Sequence, residues 1–124
     1  MDFFINEENK QIKVKGQLFK YKPVNAGDEL EWANDYLERK IIIKNNKEFE
    51  IMEQNFAKLS LCKLRNITEV PFKKEDLQKI TNLKKEYKDY TNSEKDLLFK
   101  KLNPQIYNNL VKEIDKINSN QKKD

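Results

Sequence analysis

The chain has 124 residues, of which 37% are charged and 37% apolar, and its net charge is +4 without a single histidine. This length suits one domain with a modest core, and a mean hydropathy of −0.97 requires that the apolar residues be segregated onto a few faces. The missing histidine excludes His-dependent triads and His metal sites, and a lone cysteine excludes both a thiolate zinc cluster and an internal disulfide.

The first 22 residues predict strands, because FFI is a short apolar run and both IKVKG and QLFKYK alternate apolar with polar side chains. Gly16 is the natural turn between the last two, and Pro23, which has no N–H to donate, ends the final strand. An isolated hairpin is marginal in water, so this one is expected to pack against a helix or further strands.

The stretch VNAGDELEW predicts a turn followed by a helix. Asp28 is expected to cap this helix, and Glu31 lies at the spacing that completes a capping box. The residues at this junction therefore predict a connection from strand to helix.

The same helix has two faces that favour burial. One face holds Leu30, Ala33 and Leu37, whereas Trp32 and Tyr36 lie nearly opposite. A sheet and a neighbouring helix can sandwich the element, so that both faces belong to the core. Alternatively, the two aromatic side chains are exposed together and bind a partner.

Acidic residues surround this aromatic pair. Residues 28–38 contain the following acids and no base: Asp28, Glu29, Glu31, Asp35 and Glu38. A partner that binds here is expected to present a basic surface. The candidate partner-binding residues are Trp32, Tyr36, Asp28, Glu31 and Asp35.

Residues 40–52, KIIIKNNKEFEIM, predict a second hairpin, because a β-branched triplet and the alternation of Phe49 with Ile51 flank an Asn-Asn turn. A helix is predicted over 54–66. Its expected core arc consists of Phe56, Ala57, Leu61 and Leu64, extended by Ile67. Cys62 lies beside this arc and is expected to be a packing residue.

Three further helices are predicted after the break at Pro71. The first begins near Lys74, and its apolar side is Leu77, Ile80, Leu83, Tyr87 and Tyr90. Thr91 and Glu94 have capping-box spacing at the start of the second. Asn103 and Pro104 supply a cap and a first-turn proline for the third. That last helix has the cleanest apolar arc: Ile106, Tyr107, Leu110, Val111, Ile114 and Ile117.

Together these elements predict a single α+β domain over residues 1–118. Small antiparallel hairpins, with one helix, occupy residues 1–52 and pack on an array of about four short helices in 53–118. Residues 119–124 are predicted to form a flexible polar tail.

The sequence favours a non-enzymatic protein, with no catalytic, cofactor-binding or metal-binding residues and no cofactor. Two glycines cannot build a phosphate-binding loop, and the carboxylates lie in charged settings where a solvated surface is the ordinary outcome. No apolar run is long enough to span a membrane, and the start of the chain does not resemble a signal peptide. A reducing cytoplasm is the expected location.

The stretch VKGQLFKYKPVNAGDELEW resembles the opening of tail assembly chaperones, the small tail assembly proteins of long-tailed bacteriophages and archaeal viruses. In that group a strand pair leads through a Lys-Pro-x-x-x-Gly-Asp turn into a helix. The stretch KLSLCKLRNITEVPF, with its Val-Pro break, and the terminal helices divided by Leu-Asn-Pro are also similar to that group. The stretch KIIIKNNKEFEIM has no counterpart that we can place.

This resemblance implies a non-enzymatic viral protein of the host cytoplasm, a chaperone-like factor for virion morphogenesis. Its implied partners are the tape-measure protein and the tail-tube subunit, and a homo-oligomer is also compatible with it. A structural tail or connector protein retained in the virion is a related alternative.

A small basic nucleic-acid-binding regulator is the competing interpretation. It is favoured by a pI near 9.0 and by the following lysines: Lys84, Lys85, Lys88, Lys100 and Lys101. Acids alternate with the bases on the last helix, and arginine occurs only at Arg39 and Arg65, so nucleic acid is the less favoured partner.

Overall fold

A computed structural model describes residues 3–121 of the chain. The strands are β1 (Lys10–Val14), β2 (Gln17–Tyr21), β3 (Leu37–Lys44), β4 (Lys47–Gln54) and β5 (Ile67–Glu69). The α-helices are α1 (Ala26–Tyr36), α2 (Phe56–Leu64), α3 (Lys74–Thr81), α4 (Asn92–Lys100) and α5 (Pro104–Gln121), with a 3₁₀ turn at Tyr87–Asp89. The predicted α+β class is confirmed, with four helices following the second hairpin.

The N-terminal sheet has the order β1-β2-β5 and is antiparallel throughout. Ile12 pairs with Phe19, and Lys15 and Gly16 both adopt positive φ in the turn between their strands, as the tight connection requires. The third strand was not predicted. Ile67, expected to extend the arc of α2, instead begins β5 and pairs with Tyr21.

The core lies between this sheet and the C-terminal helices. Its fully buried centre includes Phe19, Leu64, Leu98, Leu110 and Ile114. The arc predicted for the last helix is confirmed, since Leu110 and Ile114 are completely buried and its other members pack against the cluster.

Asn118 joins the end of α5 to the first hairpin. Its side-chain nitrogen donates to the Tyr21 hydroxyl (3.2 Å), and its side-chain oxygen accepts from the Val24 N–H (3.1 Å). The helix continues to Gln121, so residues 119–121, predicted as tail, are helical. Residues 122–124 lie outside the described residues.

Other predicted details are wrong. Residues 3–5 form no strand, and Phe3 and Phe4 are exposed. Phe56, expected in the core, is 72% exposed at the start of α2. The apolar side predicted from Leu77 to Tyr90 is not one helix, because α3 ends where Asn82 adopts a left-handed conformation (φ 61°).

Two of the predicted helix starts are confirmed. Thr91 and Glu94 form the capping box of α4, each side chain bonded to the backbone of the other. The last helix begins at Pro104, where the Asn103 side chain accepts from the Gln105 N–H (2.9 Å).

Candidate functional site

Trp32 is buried, although it was a candidate for an exposed aromatic pair. It is only 3% exposed and, with half-buried Tyr36, lines a cleft of about 480 Å³ that Val24, Leu59 and Asn118 also line. The face predicted to be core is instead open at Leu30, which is 77% exposed. The sandwich interpretation, in which both faces of α1 belong to the core, therefore holds for Trp32 and is wrong for Leu30.

Of the three acidic candidates, Asp28 and Asp35 bond to other residues of the chain, and Glu31 is exposed to solvent. Asp28 does not cap α1; the cap is Asn25, whose side chain accepts from the Asp28 N–H (2.8 Å) while the Asp28 carboxylate accepts from the Asn25 N–H (3.1 Å). This carboxylate also accepts from the Asn66 side chain (3.0 Å). Glu31 is exposed on the helix and is not part of the capping box.

Asp35 belongs to an ion-pair network centred on Arg65. The guanidinium donates to both oxygens of Asp96 (Nε at 3.0 Å, Nη2 at 2.6 Å) and, through Nη1, to Asp35 (2.8 Å). Hydrogen bonds to Asp96 raise the pKa of Arg65 above its already high ordinary value. The network joins α1, α2 and α4, so Asp35 has a structural partner within the chain.

Several exposed apolar side chains lie together on the second hairpin, which we call the arm (residues 37–54). Every residue from 39 to 50 is exposed. The large apolar side chains that face solvent are Ile41 (71%), Ile42 (42%), Ile43 (73%), Phe49 (47%) and Met52 (56%). Because three consecutive isoleucines alternate sides, apolar groups appear on both faces of the arm, and β3 and β4 form a sheet of their own. Neither face therefore serves the core.

The arm is built from strong local signals. Asn45 and Asn46 both adopt positive φ (54° and 60°) in a two-residue turn, as predicted from the Asn-Asn pair. At the base, the Asn55 N–H donates to the Tyr36 carbonyl (2.7 Å). The Glu38 carboxylate accepts from the Asn55 side chain (3.0 Å) and from Lys58 (3.1 Å), and these bonds lower its pKa.

Both edges of the arm present unused backbone groups. Antiparallel pairs alternate between bonded and non-bonded, and the bond between Asn55 and Tyr36 marks the even-numbered residues of β3 as the bonded ones. The N–H and C=O groups of Arg39, Ile41 and Ile43 consequently point away from β4. Their cross-strand partners Met52, Glu50 and Glu48 point away from β3 in the same way.

A shallow apolar groove of about 580 Å³ lies between α2 and the start of α5. Leu61, Leu102 and Tyr107 form part of its lining, and Lys58 and Lys100 also border it. Partial burial raises the pKa of the Tyr107 hydroxyl. The sequence analysis placed Leu61 and Tyr107 on apolar arcs and gave no sign that they would line a groove.

Residues 3–121 offer few groups for nucleophilic or metal chemistry. Cys62 is 1% exposed, and burial raises the pKa of its thiol, which disfavours the nucleophilic thiolate. Among residues 3–121, no group of three or more Cys, Asp and Glu is arranged to hold a metal ion. None of the helices described is both long and apolar enough to cross a bilayer.

Comparisons of this chain with protein-family models, with curated proteins and with solved structures find no match. The candidate site therefore depends on the arm's own geometry. Sequence patterns predicted the hairpin but not its isolation, although the apolar residues on both of its faces were a signal that a single core could not bury them.

Proposed function

We propose that this chain is a non-enzymatic assembly protein that binds other proteins through its arm. The single observation that carries the proposal is the exposure of apolar side chains on both faces of a two-stranded sheet. Exposed apolar side chains grouped on one element are costly to leave in water, and such groups mark interaction sites in folded proteins. An assembly role explains why so many residues of a small domain, those of the arm, lie outside its core.

The specific partners that we propose are those implied by the resemblance: the tape-measure protein and the tail-tube subunit of a viral tail. The chain would act in the host cytoplasm, where a factor with exposed apolar strands can hold an unassembled protein in solution. Weak contacts spread over two faces suit such a role, because a client must be released when the tail is complete. A structural protein retained in the virion would use the same arm permanently.

The test uses the purified chain as bait in lysates that contain the tail proteins, with mass spectrometry as the readout. The wild-type chain is expected to recover a tape-measure protein or a tube subunit. Ile41→Ser together with Ile43→Ser should reduce that recovery at least about ten-fold, because both side chains are exposed and belong to the proposed contact.

Leu30→Ser is the matched control, since Leu30 is equally exposed but lies on α1, outside the arm. It should leave recovery unchanged. Equal recovery by all three proteins would remove the arm from the proposal. Recovery of neither tail protein by the wild-type chain would overturn the proposed partners.

A further inference from the structure

We infer that the open edges of the arm bind a second copy of this chain, with β3 of one copy alongside β4 of the next. The inference deepens the proposed function and rests on it, because it names the partner at the arm's edges. The evidence is the distribution of charge between the two strands.

The two edges of the arm carry opposite charge. Strand β3 contains one acid and three bases: Glu38, Arg39, Lys40 and Lys44. Strand β4 contains three acids and one base: Glu48, Glu50, Glu53 and Lys47. Their net charges are thus +2 and −2. Opposite charges on neighbouring strands favour pairing, and like charges oppose it.

Within one arm, basic side chains of β3 already pair with acidic side chains of β4. Arg39 pairs with Glu50 (3.4 Å), and Lys40 pairs with Glu53 (2.5 Å). These side chains remain exposed, Arg39 by 78%, so they can also contact a strand on their open side. The hydrogen bond to Glu53 raises the pKa of Lys40, whose ammonium is already charged at neutral pH without this shift.

Charge selects among the possible pairings of two arms. If β3 met β3, or β4 met β4, edges of the same sign would lie side by side. If β3 meets β4 of the next copy, a basic edge meets an acidic edge and the strands remain antiparallel along the extended sheet. Such a contact is heterologous, because the two copies use different surfaces.

The backbone supports the same pairing. The outward N–H and C=O groups at Arg39, Ile41 and Ile43 form one half of an antiparallel ladder, and those at Glu48, Glu50 and Met52 form the other half. If charge served only to keep copies apart, both edges would carry charge of the same sign. Here each edge attracts the other.

The experiment measures the mass of the purified chain by sedimentation across a concentration series, without any other protein present. The wild-type chain is expected to exceed its monomer mass of 14.9 kDa as concentration rises. Glu48→Lys with Glu50→Lys makes both edges basic, and Arg39→Glu with Lys44→Glu makes both acidic. Each double variant should associate at least about ten-fold more weakly than wild type.

Each double variant also breaks the Arg39–Glu50 pair within the arm. Two further samples therefore separate the loss of this pair from the loss of complementary charge between the edges. An equimolar mixture of the basic and the acidic variant should associate again. A single chain with all four substitutions regains opposite edges, with their signs exchanged, and should also associate. Circular dichroism melts of every variant establish that each is folded.

Several results would overturn the inference. One is a wild-type chain that remains monomeric up to about 1 mM, where even a weak contact of millimolar Kd would be visible. Others are double variants that associate as wild type does, or folded variants whose mixture does not associate. Recovery of tail proteins by a monomeric chain would leave the proposed function standing and remove only this inference.

Discussion

At the scale of single residues, polarity alone did not decide which side of α1 faces the core. Trp32 is buried and Leu30 is exposed, although both are apolar and lie only two positions apart. The two side chains point in directions about 200° apart on a helix, so only one of them can face the body of the domain. The larger ring is buried, which gains more apolar burial than the leucine would.

Trp32→Ala should therefore destabilise the domain by about 3–5 kcal/mol, because it leaves a cavity among packed groups. Leu30→Ala should change stability by no more than about 0.5 kcal/mol. Urea unfolding followed by circular dichroism measures both, since Trp32 is the only tryptophan and its fluorescence disappears with the substitution. Equal costs for the two variants would contradict the buried position of Trp32.

At the scale of elements, the arm has strong local determinants and little tertiary support. Its turn residues and its cross-strand ladder are specified by neighbours in sequence, and its main contact outside its own strands is with α1 at its base. Isolated two-stranded hairpins are marginal in water, so a partner strand would stabilise the arm.

Replacing residues 39–52 with Asn-Gly joins Glu38 to Glu53, which are already cross-strand partners, by a turn of the original length. The free energy of unfolding of the remaining domain should lie within about 1 kcal/mol of the wild-type value, because the removed side chains are not part of the core cluster. Thermal and urea melts of the shortened chain measure this. A loss of several kcal/mol would show that the arm supports the core.

The cap of α4 makes stability depend on pH. Lys85 donates to the Glu94 carboxylate (2.6 Å), and this bond, together with the Thr91 N–H, lowers the pKa of Glu94 below its ordinary value of 4.5. A lowered folded-state pKa gives a stabilisation that is complete above 4.5 and is lost as pH falls through the folded value. Glu94→Gln should therefore be less stable than wild type at neutral pH.

The difference between these two proteins should shrink as the solution is acidified below pH 4.5, because Glu94 then becomes protonated in both folded and unfolded wild type. Thermal melts of both proteins over a series of pH values test this. A difference that persists unchanged in acid would mean that the carboxylate charge does not support the cap.

At the scale of the whole molecule, α5 holds the sheet and the other helices together. It packs against β1 and α2, and Asn118 bonds it to Tyr21 and to the turn before α1. Ile114 is completely buried at the centre of this arrangement. The domain therefore depends on one apolar stripe near its C-terminal end.

Ile114→Asp should unfold the domain at 25 °C, because it places an unpaired charge in the core. Lys112→Asp alters an exposed position on the same helix and should leave the chain folded. Far-UV circular dichroism and sedimentation distinguish the two outcomes. A folded Ile114→Asp protein would contradict the central role assigned to α5.

Features that are specified by residues close together in the chain were predictable from the sequence. The Asn-Asn turn, the capping box at Thr91 and the start at Pro104 each depend on residues within a few positions of one another. Such short-range sterics and hydrogen bonds operate wherever the segment lies in the fold, so the sequence alone determined them.

Only the tertiary structure decided which apolar faces are covered. Burial of Trp32, exposure of Phe56, the addition of β5 and the isolation of the arm depend on residues far apart in the chain. The hydrophobic effect is non-directional, so the apolar faces that become buried are those that neighbouring elements can contact in the fold. The arm lies beyond that reach, so its apolar faces and open edges remain available to partners.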